Sequence, residues 1–389
     1  MKEQMIDRGN SLLSDSRGAN ETARPRNAVN GAISVRLSRD VGDQRRRFSD
    51  LENIDAGRFD AAGLNTWAES QVLSVERLIS QAVSSRHSQV NDLCEHAAAM
   101  GGKRLRPRLA LLCAAACTGT LPASGKDVVR VGAAVELVHA ASLVHDDVMD
   151  DADIRRHKPT VGKLAGSDAA ILLGDYLFTK AYALAAQCGS AVPATRLAAA
   201  ATSLCEGELR QQLMSEVWGV SVAEYKSVLC QKTGALCAVS CYLGAWTRRR
   251  EDRLAKSHAR DLYRFGMHLG LAFQIYDDWL DYWGTEQVGK TLATDLEQQK
   301  PTLPVLRLLA TASEREKEQH LSLLRSEISH EEKLARTLEL LNRSDASEYT
   351  LAAARKCAKT ALGCLQSLPA GPAVDALTAI AQRSVNRNS

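Results

Sequence analysis

Proline is scarce in this chain, nine in 389 residues, and runs of alternating β-branched residues are scarcer: hardly any lasts five positions. The first leaves long stretches free to be helical, and the second argues against a sheet. The ten cysteines include no CxxC pair, which removes the common zinc and redox signatures. Cys113/Cys117 and Cys237/Cys241 instead have the i, i+4 spacing of one helix face, and are expected to be small buried thiols in a reducing compartment. No uninterrupted apolar run reaches the roughly 18 residues of a membrane span, and no signal-peptide core begins the chain. Net charge is small as well. Lys plus Arg (49) nearly cancel Asp plus Glu (46), leaving +3, so nothing argues for nucleic acid as partner and any functional charge must be local.

What is present is apolar residues at helical spacing. With 45% hydrophobic residues, the chain can fill a sizeable core. The periodicity predicts helices near 65–99, 105–117, 126–152, 168–188, 193–217, 221–247, 251–284, 301–312 and 329–344, and another from about 350. The expected architecture is all-α, a single-domain bundle of ten or more helices around a central cavity, spanning 63–389. Residues 1–62 are rich in Arg, Ser, Asn, Asp and Gly, without apolar period, and are expected to be disordered. Their arginines also fit a mitochondrial transit peptide, but Glu3, Asp7, Asp15 and Glu21 speak against one. The expected location is the cytoplasm, with peripheral contact to a membrane still open.

Five aspartates crowd into LVHDDVMDDADIRR between Asp146 and Asp153. Carboxylates this close raise one another's pKa unless a cation neutralises them, and one DDxxD alone reads as a solvated helix face. A second copy decides between the readings. FQIYDDWLD places Asp277, Asp278 and Asp281 at the spacing of Asp146, Asp147 and Asp150. On a helix, i and i+4 point the same way, and both motifs lie in apolar surroundings, ASLVH and GLAF, so both are expected to face an interior cavity. Mg²⁺ suits such a site, because it takes one or two carboxylates, keeps waters and completes its shell with substrate phosphates.

Cations complete the pattern. GGKRLRP carries Lys103, Arg104 and Arg106; RRHKPT carries Arg155 and Arg156; QKTG carries Lys232; and GKTLATDLEQQKPTLP carries Lys290 and Lys300. Any one alone is a surface charge, but together they form the cage a diphosphate requires. His139, two turns before Asp146 on the same face, points at the same cavity. His145 has no such argument and is read as structural, and Asp151 and Asp153 as solvated or outer charges.

Six motifs, GGKRLRP, HAASLVHDDVMD, RRHKPT, KTG, FQIYDDWLD and GKTLATDLEQQKPTLP, stand in the order and spacing of the trans-isoprenyl diphosphate synthases, which the chain resembles over residues 65–389. The resemblance implies the isoprenoid synthase fold, a homodimer, and three Mg²⁺ ions per site. It implies that Asp146, Asp150 and Asp277 ligate metal, with Asp147, Asp278 and Asp281 ligating or holding waters. Lys232, Arg155, Lys290 and Lys300 would neutralise an allylic diphosphate, and Lys103, Arg106, His139 and Arg156 would bind isopentenyl diphosphate. Thr233 and Gln274 would line the path of the cation.

In that family, bulky residues four and five positions before the first DDxxD close the pocket floor. Here they are Ser142 and Ala141, both small, so a product longer than geranylgeranyl is expected. Tyr176, Leu177 and Phe178, or a partner subunit, could close the tunnel further down. A farnesyl or geranylgeranyl synthase is the nearer alternative, and a non-catalytic subunit of a heteromeric synthase the farther one. Such subunits lose motif aspartates, and this chain keeps all six. A class I terpene cyclase would need neither the second DDxxD nor an isopentenyl site.

Overall fold

The computed structural model describes residues 59–100, 102–122, 124–214, 217–249, 254–284 and 294–386, which belong to one compact unit. The fold is all-α. In chain order the helices are α1 (Ala61–Val83), α2 (Ser88–Ala99), α3 (Leu105–Ala116), α4 (Lys126–Met149), α5 (Val161–Ala165), α6 (Ser167–Ala186), α7 (Ala191–Leu213), α8 (Val222–Leu229), α9 (Ala235–Trp246), α10 (Ala255–Trp283), α11 (Thr294–Glu297), α12 (Leu303–Thr311), α13 (Glu314–Leu324), α14 (His330–Asn342), α15 (Ala346–Gly363) and α16 (Pro372–Arg383).

Helices α4, α9 and α10 form the middle of the molecule. α4 packs chiefly on α6, and α9 on α10 and α3, while α15 lies along the outer side of α10. Leu109, Leu137, Leu177, Leu236 and Phe265 are wholly enclosed there, each side chain contributing ~1.5–3 kcal/mol by leaving water. About half of each of α4 and α10 is buried, and of the aspartates near their C-terminal ends Asp147 and Asp278 are drawn inward with them.

Several expected boundaries shift. The predicted helix 65–99 is two, because the Asn91 side chain accepts the Ser85 amide hydrogen at 3.2 Å and turns the chain between α1 and α2. α1 starts at Ala61, capped by Asp60, whose carboxylate accepts from the Gly63 amide at 2.7 Å; the rest of the expected disordered segment lies outside the described residues. α13 was not expected from periodicity at all. A capping box between Ser313 and Glu316 starts it. The predicted helix 221–247 contains a π-helical turn, Cys230–Gly234, between α8 and α9. Residues 154–159 form a two-stranded hairpin, β1 (Ile154–Arg155) and β2 (Lys158–Pro159). Its two turn residues, Arg156 and His157, have φ of 50° and 63°, a type I′ conformation that side chains other than Gly, Asn and Asp enter at a cost of roughly 1–3 kcal/mol each.

Two further readings are corrected. Three helical segments, Lys126–Met149, Ser167–Ala186 and Val222–Trp246, are by length and composition apolar enough to cross a membrane; a count of uninterrupted apolar residues overlooks them because single polar residues break each run. In the first and third, 72% of the apolar window is packed inside the fold, against 39% for Ser167–Ala186. Cys113, Cys117, Cys237 and Cys241 are buried as expected, with the Cys113 and Cys241 thiols hydrogen-bonded, but Cys205 is exposed.

Candidate functional site

The first DDxxD occupies the last turn of α4. Asp147 is buried, and the hairpin brings Arg155 to it, Nε at 2.5 Å from Oδ1. Its Oδ2 is buried without a hydrogen-bond partner. Asp146 is held at a pKa of about 6 by burial, which outweighs the pull of Lys232 and Arg155 and is reinforced by Glu208 and Asp150. Asp150, the C-cap residue, is exposed and accepts from Lys300 Nζ at 3.4 Å.

Opposite stands the second DDxxD, near the end of α10. Asp278 is buried, and both its oxygens are engaged: Tyr225 Oη donates to Oδ2 at 2.5 Å and Gln274 Nε2 to Oδ1 at 3.0 Å. Burial raises its pKa to about 6, against those hydrogen bonds. Thr233 donates to Gln274 Oε1 at 3.0 Å, so a continuous chain of contacts joins the π turn to Asp278. Asp281 accepts the amide hydrogens of Thr294 and Asp295, each at 3.1 Å. Asp277 is half-buried beside Asp278 and adds to the negative field there.

Lys232 lies between the two motifs. Its ammonium is 2.7 Å from Glu208 and 2.7 Å from Gln211, both on α7. Burial pulls its pKa down, but Glu208, Asp146 and Asp150 more than offset that, and the net shift is upward. The π turn presents it, a distortion frequent at functional sites, and two glycines let the turn be approached. A Cβ on Gly207 of α7 would stand 2.7 Å from the Lys232 backbone nitrogen, and one on Gly270 of α10 would stand 2.9 Å from the Gly234 Cα.

A second cationic group gathers around His139 on α4. The Arg106 Nε is buried and has no partner, and Arg156 donates to the Met100 carbonyl at 2.6 Å, its guanidinium filling the space a Cβ on Gly102 would need. Burial, and then Arg106, Arg156, Arg155 and Arg104, push the imidazole's pKa well down, so His139 is neutral. Arg104 is consumed internally, bridging Glu76 at 3.3 Å and buried Glu136 at 3.0 Å. Lys103 is exposed.

The structure thus brings Asp146, Asp147, Asp150, Lys232, Thr233, Gln274, Asp277, Asp278, Asp281 and Lys300 to one end of the bundle, and Arg106, His139 and Arg156 to an adjoining group. Lys290 lies outside the described residues. Ala141 is fully enclosed and Ser142 nearly so, with Ser142 Oγ bonded to the His139 carbonyl at 2.9 Å. His145 meets the Ile171 carbonyl at 3.0 Å, and Asp153 pairs with Lys163 at 2.8 Å on the surface. Sequence reasoning missed Glu208, Gln211, Tyr225 and Asp295. Burial drives the Asp295 carboxyl well up, and Asp278 and Asp281 add to it against Lys300 and Lys232. Only Asp295 carried a signal, as one of two acids, with Glu297, within GKTLATDLEQQKPTLP.

Chemically, this is an acidic pair of motifs facing each other across cations. Asp147 Oδ2, buried and unpartnered, and the raised Asp146 fit a hard divalent cation. Among the described residues no three His, Cys, Asp or Glu side chains converge into a closed metal cage.

Comparison with known proteins agrees with that geometry. The family model described as Polyprenyl synthetase matches residues 87–341. The chain is 37% identical to a short chain isoprenyl diphosphate synthase of Methanothermobacter thermautotrophicus, over 75% of this chain and 89% of that protein. Its structure is similar to that of a decaprenyl diphosphate synthase from Rhodobacter capsulatus, with TM-score 0.77 and 30% identity over 85% of this chain and 99% of that one. It is also similar to a polyprenyl synthase from Caulobacter crescentus complexed with calcium and isoprenyl diphosphate, with TM-score 0.76 and 32% identity over 86% and 99%.

Proposed function

The chain belongs to the polyprenyl synthetase family and is a trans-prenyltransferase, and from that premise we propose that it joins isopentenyl diphosphate to an allylic diphosphate with Mg²⁺, yielding an all-trans polyprenyl diphosphate longer than geranylgeranyl. The observation that carries this reading is the position of Lys232, held by Glu208 and Gln211 where it acts electrostatically on Asp146 and Asp150 of the first motif and on Asp295 beside the second. A diphosphate held there would meet acid-bound Mg²⁺ on both sides and an ammonium in the middle.

Asp146, Asp150 and Asp277 would hold Mg²⁺, with Asp147 and Asp278 held in place by Arg155 and by Tyr225 and Gln274. When bound, the metal supplies positive charge to the oxygens of the departing diphosphate. Lys232 and Lys300 add to that charge, so the allylic C–O bond breaks heterolytically and leaves a carbocation. The Thr233 hydroxyl and Gln274, linked to each other, would border that cation. Lys103, Arg106, neutral His139 and Arg156 would hold isopentenyl diphosphate so that its double bond attacks, and the released diphosphate would take the proton lost. The apolar walls around both motifs exclude water, which would otherwise quench the cation.

Length is argued from the small size of Ala141 and Ser142, about one turn before Asp146 on α4; both are packed against neighbouring side chains, so a growing tail would extend there as those neighbours give way. A homodimer is supported by the outer face of α6 and α7: Ile171, Leu172, Leu209 and Leu213 are 45%, 68%, 64% and 79% exposed, an apolar surface a second copy would cover. Purified protein with Mg²⁺, isopentenyl diphosphate and farnesyl or geranylgeranyl diphosphate tests the proposal by chromatography of the product. Failure to extend any primer overturns the reaction, and a product that stops at farnesyl overturns the length. Survival of activity in Asp146→Ala/Asp150→Ala would favour the non-catalytic subunit.

A further inference from the structure

The third aspartate of the second motif sits where a metal ligand is expected, yet its carboxylate points at backbone. Both Asp281 oxygens accept amide hydrogens, Oδ1 from Thr294 and Oδ2 from Asp295. Those two residues open the one-turn helix α11. The same turn is closed at its other end by a hydrogen bond from the Lys300 amide to the Asp295 carbonyl at 2.8 Å, across Gln299 at φ 52°. That pattern is a Schellman closure, and it fixes the direction in which the next side chain leaves. The side chain that leaves there is Lys300, which crosses to Asp150 of the first motif. Asp295 is therefore gripped from both sides of its own peptide units, by Asp281 on its N–H and by Lys300 on its C=O. Leu296, 1% exposed, pins the turn to the core beneath.

We propose that Asp281 is a positioning residue: by holding the Thr294 and Asp295 amides it sets the turn from which Lys300 reaches the first DDxxD and the diphosphate bound there. The inference rests on the prenyltransferase reading and deepens it, because it removes Asp281 from the metal's own ligands and gives it a mechanical task between the motifs. The two carboxylate-to-amide bonds are charge-assisted, which makes them stronger than neutral ones. Asn at this position keeps one acceptor oxygen but turns an NH₂ toward the second amide, so half of the grip is lost.

The test is a double-mutant cycle with Asp281→Ala and Lys300→Ala in the full chain. Two readouts are needed: steady-state KM and kcat for the allylic diphosphate, and calorimetric binding of inorganic pyrophosphate in the presence of Mg²⁺. Each single variant should weaken pyrophosphate binding about tenfold, within the range that partners in one hydrogen-bonded network show, and the double variant should be hardly worse than either. The Mg²⁺ concentration giving half-maximal pyrophosphate binding should be unchanged in Asp281→Asn. Additive losses, or a rise in that Mg²⁺ requirement, would overturn the proposal and make Asp281 a ligand. Wild-type protein that bound no Mg²⁺-pyrophosphate would instead sink the prenyltransferase reading itself, so the two failures are distinguishable. Circular dichroism of Asp281→Ala guards against misfolding, with Asp281→Asn as the milder variant.

Discussion

Replacing Asp146 by Asn should stabilise the metal-free protein, although it removes a residue the reaction needs. The Asp146 carboxyl has a pKa of about 6 in the fold against its ordinary 3.8. A difference of about two units, at ~1.36 kcal/mol per unit, is about 3 kcal/mol of destabilisation when the group is ionised. That shift already nets the attraction of Lys232 and Arg155 against burial, so a gain of about 2–3 kcal/mol is expected when Asn replaces the ionised group. For a domain of roughly 330 residues, that is about 3–4 °C in Tm at pH 7.5. Between about pH 4 and 6 the folded protein keeps a proton that the unfolded chain has lost. The penalty therefore grows as pH rises through that window and is complete above it. The Tm gap between variant and wild type should be full at pH 7.5, about half at pH 5, and gone below pH 4. Differential scanning fluorimetry in EDTA across this range measures it. Equal Tm values at pH 7.5, or a gap that does not change with pH, would refute the argument that this carboxylate is held at a cost. With Mg²⁺ and pyrophosphate the order should reverse, because only the wild type gains the ligand's stabilisation.

Other substitutions test other parts of the site. Tyr225→Phe strips a partner from a buried carboxylate and should cost about 1–3 kcal/mol by denaturation; since that hydrogen bond holds the Asp278 pKa down, the acid limb of the pH–rate profile should move to higher pH. Gly270→Ala puts a methyl 2.9 Å from the Gly234 backbone, and should cost about 1–3 kcal/mol and most of kcat by displacing Lys232. Arg106→Ala should raise KM for isopentenyl diphosphate about tenfold while leaving that for the allylic substrate nearly unchanged, as expected for loss of one charge-assisted contact. Ala141→Phe adds bulk about one turn before Asp146 on α4, and should shorten the product seen by chromatography.

The two aspartate motifs and the basic turns were legible because each is local: the residues that act together stand within a few positions on one helix or turn. The helices around them were legible for the same reason, through a period of 3.6 that burial imposes. What escaped is long-range or made by side chains. The break after α1 contains no Gly or Pro and depends on Asn91 reaching back to Ser85. α13 buries only Leu324 fully, so its sequence has little period to read, and its capping box was the only sign of it. Tyr225 and Asp278 are 53 residues apart, and Glu208 meets Lys232 only because α7 crosses the π turn at a glycine. No spacing rule connects such pairs. Arg104 and Arg155 stand in the basic turns the sequence marks, but the buried acids they pair with, Glu136 and Asp147, are partners that no motif names.

The π turn at Cys230–Gly234 also determines what length changes this region can accept. A π turn holds one residue more than the regular helix it interrupts, so deleting one position there would restore an ordinary helix while leaving the helices on either side in nearly their present phase. α9, buried from Ala235 to Trp246 except at half-buried Tyr242, would keep its packing, but the side chains of the turn itself would be re-aimed, and Lys232 and Thr233 would no longer face Glu208 and Gln274. A single-residue deletion at Gln231 would therefore be read as a folded, helical protein that has lost its reaction, whereas the same deletion within α10 would carry the second DDxxD off its face and leave Tyr225 without its carboxylate.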